Sequence, residues 1–353
     1  MGSTLVMGAI MLALLTLAGY IVLKAHASSG QSTGIVSTPT IVPITSATTT
    51  TTAAPVTTTT EAIPEPTSPK YAVSSASFTL SEPGKYLCAP HGTAAGCVVR
   101  SMPLYIFYPA AGRPGEVVNG STPDRKGGPF PLVVFGGGYL EPVSGYSLIL
   151  DYWASRGYIV AAPQFPLSQT NSVGGPWEAD ILNQPGDLSA AITYMLNQNQ
   201  IRTSVFYGLI KSQAIAVAGQ SDGADDALAL GYNTCCRDTR VSAVISLSGA
   251  ELSSYPGKYF VSKGSPLLVV QGSEDQINLP SDSQTVFEAA GPPKYYLTLI
   301  GADHLDGYVK VDAYSQAVQN VTGSFLDYYL KGETGALKTM SADGNVAGVD
   351  SLS

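Results

Sequence analysis

From about residue 100 onward, short solid apolar runs alternate with stretches in which apolar residues recur every third or fourth position. Pro103 to Tyr108, Pro131 to Phe135, Tyr158 to Ala162, Ala214 to Ala218, Val241 to Leu247, Pro266 to Val270 and Tyr295 to Ile300 are runs of the first kind. Their length and continuous apolar character predict strands buried on both faces. Between them, Leu188, Ala191, Ile192, Met195 and Leu196 fall at i, i+3, i+4, i+7 and i+8, one face of a helix. Helices are also predicted around Tyr152 and Trp153, over Gly223 to Leu230, over Ser281 to Ala289 and over Val311 to Leu330. Strands separated by helical crossovers predict an α/β domain with a mostly parallel central sheet and helices on both faces. Its expected limits are residues 71–335, leaving 336–353 as a flexible C-terminal tail.

The pattern breaks at the N-terminus. Leu5 to Leu23 is nearly unbroken apolar sequence, long enough to span a bilayer. Ala25-His26-Ala27 resembles a signal-peptidase site, so residues 1–27 read as a signal peptide or a membrane anchor. Residues 28–70 are mostly Thr, Ser, Pro, Ala and Val, without an aromatic residue. Such a segment buries too little apolar surface to offset the entropy of ordering, and it is expected to be a disordered linker. Export is the expectation that follows, either to the cell surface on an anchor or by secretion.

Charge and cysteine content narrow the picture. A net charge of −8, with Lys and Arg scattered, argues against a nucleic-acid partner. Four cysteines, Cys88, Cys97, Cys235 and Cys236, allow three pairings. A Cys88–Cys97 bridge would close a small loop around His91 and leave the adjacent Cys235 and Cys236 bridged or free. Their spacing does not suit a zinc site, and structural disulfides in an oxidising compartment are expected.

The candidate chemistry lies in one pentapeptide and two loops. Gly219-Gln220-Ser221-Asp222-Gly223 sits between a predicted strand and a predicted helix. A serine on so sharp a turn is lifted above the sheet edge, and flanking glycines let strand and helix approach closely. A serine hydroxyl needs a neighbouring base. The chain has three histidines, and only His304 lies downstream of Ser221 in the predicted domain. Asp275, after the strand 266–270, is the expected carboxylate partner, with Glu274 as the runner-up and Asp303 too local to His304. The order Ser221, Asp275, His304 is that of a strand–serine–helix hydrolase. Gly136-Gly137-Gly138-Tyr139 is the expected oxyanion loop, its Tyr139 N–H acting with that of Asp222. Gly138, Tyr139, Gln220, Trp177 and Leu305 are the expected substrate contacts, and neither a metal nor a cofactor is expected.

Leu132 to Leu140 (LVVFGGGYL), Ala154 to Pro163 (ASRGYIVAAP), Gly219 to Gly223, Gln271 to Asp275 and Asp303-His304 together resemble the α/β-hydrolase superfamily. Within it the chain is similar to the branch of platelet-activating-factor acetylhydrolases, chlorophyllases and cutinase-like or polyester-hydrolase-like esterases. That resemblance implies an α/β-hydrolase fold and carboxylic-ester hydrolysis through an acyl-enzyme, on a small-molecule, lipid or polymeric ester. Gly137 stands where relatives often carry His. No long insertion separates Gly249 from Ser265, so no large cap domain is expected. A peptidase or acyltransferase using the same three residues, or a catalytically dormant binding protein, are the competing readings.

Overall fold

The computed structural model describes residues 69–92, 96–262 and 264–353. The predicted signal or anchor segment, and all of the predicted linker except Pro69 and Lys70, lie outside the described residues. Among the described residues, no helix is long and apolar enough to cross a membrane.

Nine strands form one sheet among these residues: β1 (Ala72–Leu87), β2 (Val98–Ala110), β3 (Phe130–Gly136), β4 (Ile159–Pro163), β5 (Ile210–Gln220), β6 (Ala243–Leu247), β7 (Leu267–Gly272), β8 (Lys294–Leu299) and β9 (Asp350–Leu352). Their spatial order is β1-β2-β4-β3-β5-β6-β7-β8-β9. The stretch from β4 through β8 is parallel throughout, in register pairs such as Val133 with Ala216 and Val217 with Val244. The β1–β2 hairpin and β9 close the two edges in antiparallel fashion.

The solid apolar runs have a direct physical reading. Successive side chains of a strand point to opposite faces, and here both faces are dry. Leu132 and Val134 of β3 join one core with α2 (Gln184–Gln198) and α3 (Asp222–Tyr232). Val133 and Phe135 join the other, under α1 (Ser147–Ser155) and α5 (Ala313–Leu326). The predicted helical face of α2 is the buried one, with Leu188, Ala191, Ile192 and Met195 all at 0% exposure. The helix α4 (Pro280–Ala289) packs Val286 into the first core.

Residues 336–353 are not a flexible tail. They form α6 (Ala336–Asp343) and then β9, whose Leu352, Ser351 and Asp350 pair with Leu297, Thr298 and Leu299. Met340 plugs the second core at 1% exposure, and Asp350 caps the approach by accepting the Val346 N–H at 2.7 Å. The segment has little periodicity of its own. What orders it is the open edge of β8, a ready template for one more strand.

Cysteine pairing takes the form Cys88–Cys97, at the tip of the β1–β2 hairpin, and Cys235–Cys236, just beyond α3. Among the described residues, the connection from β6 to β7 contains no helix or strand, so no cap domain is inserted there.

Candidate active site

Three loops at the C-terminal edge of the parallel strands bring the chemistry together, as open α/β sheets generally do. Ser221 occupies the turn between β5 and α3 with φ 55° and ψ −125°. A positive φ on a non-glycine residue is strained, and such strain gathers at working sites. The turn can be this tight only because its neighbours lack side chains. A Cβ on Gly219 would sit 1.9 Å from the Gly223 carbonyl oxygen, and one on Gly223 would sit 2.1 Å from that of Gly136.

Ser221 Oγ lies 2.9 Å from His304 Nε2, and His304 Nδ1 lies 2.8 Å from Asp275 Oδ2. Asp275 is fully buried and heavily held. Its Oδ1 accepts the N–H groups of Ile277 (2.9 Å) and Asn278 (3.1 Å), while Gln271 Nε2 donates to Oδ2 at 3.1 Å. Glu274 is exposed. Asp303 instead caps its own loop through the Leu305 and Asp306 N–H groups and pairs with Lys310.

The glycine loop supplies a second feature. Gly138 N–H is committed, donating to the Tyr146 hydroxyl at 2.9 Å. The N–H groups of Tyr139 and Asp222 have no acceptor among the described residues, and these are the two donors expected from sequence. The Tyr139 side chain is half-buried. Burial first, then the charges of Glu178 and Asp222, hold its phenol above the ordinary range. The Asp222 carboxyl is pushed up to about 7, by burial first and by Glu178 second.

The expected substrate contacts divide. Tyr139, at the end of the glycine loop, and Leu305, next to His304, both remain partly exposed. Gln220 does not face a substrate: it is 1% exposed, and its amide bonds to Tyr146 and His304. Gly138 is likewise buried, against Gln220 and Ser221. Trp177 stacks on His91 at 5.2 Å and 13°, beside the Cys88–Cys97 loop. There it lines a cleft of about 650 Å³ with Lys85, Tyr86 and Leu167. The tryptophan had no local signal of its direction, since a loop side chain faces whatever the neighbouring hairpin offers.

Sequence reasoning missed Tyr146. It ends a short 3-10 turn, Val143–Tyr146, whose motif carries nothing that sets this tyrosine apart from the other nineteen.

Sheet order, the strained serine between β5 and α3, and the two loops that meet it define the α/β-hydrolase fold. The chlorophyllase family model matches residues 110–252, a stretch holding the glycine loop and Ser221 but ending before Asp275 and His304. The match supports a hydrolase of the ester-cleaving type. No curated protein matches the chain significantly.

Proposed function

We propose that the protein is a serine hydrolase that cleaves carboxylic esters through an acyl-enzyme, acting on a small-molecule, lipid or polymeric ester outside the cell. One observation carries this reading: the continuous hydrogen-bond line Ser221–His304–Asp275, anchored on a buried carboxyl that five-membered imidazole geometry can reach from the far side of the ring.

In the first half-reaction Ser221 Oγ attacks the ester carbonyl carbon while its proton passes to His304 Nε2. Asp275 holds the ring by its Nδ1–H and stabilises the imidazolium. The oxyanion is met by the Tyr139 and Asp222 N–H groups, where loss of one such donor typically costs about 3–4 kcal/mol. Collapse breaks the bond to the alkoxy oxygen, which takes the proton from His304 and leaves as the alcohol. Water then attacks the acyl-enzyme, giving a proton to His304. The acid is released when the Ser221 bond breaks and the proton returns to Oγ. Every proton taken is returned, and no step calls on a metal or cofactor. Location outside the cell is supported by two disulfides, which persist in oxidising compartments.

The test is hydrolysis of p-nitrophenyl esters from acetate to palmitate by the full chain and by Ser221→Ala. Wild-type turnover, with a loss of at least about a thousandfold in the variant, is expected. The chain-length optimum then separates a small-ester from a lipid substrate. Turnover by Ser221→Ala equal to wild type would remove the proposed nucleophile.

A further inference from the structure

The Ser221–His304–Asp275 line uses only part of the polar apparatus buried at this turn. Gln220, immediately before the serine, is 1% exposed, and its carboxamide bonds to two other segments. Its Oε1 accepts from the Tyr146 hydroxyl at 2.7 Å, and that hydroxyl itself accepts the Gly138 N–H at 2.9 Å. Its Nε2 donates to the His304 main-chain oxygen at 3.1 Å and lies 3.3 Å from His304 Nε2. The direction of the amide is fixed by its partners. A carbonyl oxygen can only accept, so the group facing His304 O must be the NH₂. The Tyr146 oxygen already accepts from Gly138 and has its own proton to give, so it faces Oε1. The contact is close enough that a Cβ on Gly138 would fall 2.8 Å from Gln220 Oε1.

We propose that Gln220 and Tyr146 are positioning residues for the serine-hydrolase reaction, a deduction that rests on that reading. The Gln220 amide ties the His304 loop, and the Tyr146 hydroxyl ties the glycine loop, to one point beneath the nucleophile. Two consequences follow from the chemistry. Tyr146 consumes the Gly138 N–H and so fixes the turn that leaves the Tyr139 N–H as the free donor. Gln220 presents a donor, never an acceptor, toward His304 Nε2. Once His304 has taken the serine proton, its Nε2–H finds no acceptor in Gln220 and is left to the departing alkoxide. A carboxylate at this position would instead capture the imidazolium.

Gln220→Glu separates this role from simple packing, because it keeps the side chain's size and its acceptor for Tyr146 while replacing the donor. Steady-state kinetics on the full chain, normalised to folded protein concentration, provide the readout, with Ser221→Ala alongside. Loop misplacement on the ångström scale costs about a hundredfold, and Gln220→Glu is expected to lower kcat by about that factor with KM within about threefold. Gln220→Met and Tyr146→Phe are each expected to lower kcat by about tenfold or more, and their combination to be no worse than the weaker single variant, since both break one chain of contacts. Gln220→Glu within about twofold of wild type in kcat, or Gln220→Met and Tyr146→Phe losses that multiply, would overturn the inference. Wild-type turnover that also survives in Ser221→Ala would overturn the serine reading itself, a distinct result.

Discussion

Two buried polar networks in this protein are built on opposite principles. The first runs from Asp275 through His304 to Ser221 by single hydrogen bonds along which a proton can move, with Gln220 and Tyr146 bracing His304 from the side. The second surrounds Arg100 of β2, at 2% exposure. Its guanidinium grips both oxygens of Asp180 (2.9 and 2.8 Å) and both of Asp187 (2.8 and 2.5 Å). Glu82 lies 3.7 Å from Arg100 and pairs with Lys85. Burial pushes the Asp187 carboxyl well above its usual range in spite of Arg100. Glu82 is held below its range against burial, by hydrogen bonds with Asp187 and Lys85.

The difference teaches what each arrangement can do. An anchor gains from groups whose charge state is fixed and whose geometry is bidentate. It pins α2 and the turn Glu178–Asn183 to the β1–β2 hairpin, and so sets the wall bearing Glu178 beside the site. A proton relay needs the reverse, groups whose two protonation states lie close in free energy.

The largest effect that would sharpen this contrast is Asp275→Asn. Asparagine still accepts the Ile277 and Asn278 N–H groups but no longer favours the required imidazole tautomer. We expect kcat to fall by about 10³–10⁴-fold, with a denaturant midpoint near that of wild type. A variant that unfolds early but keeps its rate per folded molecule would make Asp275 part of the anchor class instead.

Arg100→Met should give the mirror image. Removing the cation leaves buried carboxylates uncompensated, at about 3–5 kcal/mol of stability. Urea unfolding would read this directly. Turnover of p-nitrophenyl esters well below the transition should change only a few-fold, and a large kcat loss in a still-folded variant would erase the distinction between the networks.

The smallest effect concerns Asp222, which stands between the two classes. Its carboxyl titrates at about 7 in the folded chain, against an ordinary value of 3.8. Between those values the folded state keeps a proton that the unfolded state has lost, so stability declines as pH rises through the window. Asp222→Asn should therefore gain melting temperature at pH 8 relative to wild type and little at pH 4. Above pH 7 the wild-type carboxylate also places negative charge beside the developing oxyanion. The wild-type rate should then drop several-fold relative to the asparagine variant. Equal shifts at both pH values would mean that Asp222 does not titrate in this range.

Sequence alone determined those features that are local or periodic. Solid apolar runs specify strands buried on both faces, and the i, i+3, i+4 spacing of Leu188, Ala191 and Ile192 specifies the inner face of α2. The glycines around Ser221 specify a turn no other residues could make. The scarcity of histidine leaves His304 as the one candidate base downstream of Ser221.

Tertiary structure alone decided whatever depends on which surfaces meet. Residues 336–353 carry no strong pattern, yet the open edge of β8 recruits them as α6 and β9. Trp177 turns to His91 because the disulfide-closed hairpin offers a ring there. Gln220 looks like a substrate contact from its place in the motif, and becomes a buried crosslink because Tyr146 and His304 converge on it from segments 74 and 84 residues away. Hydrogen-bond partners so distant along the chain leave no periodicity in the sequence; only the folded sheet brings their loops to one edge.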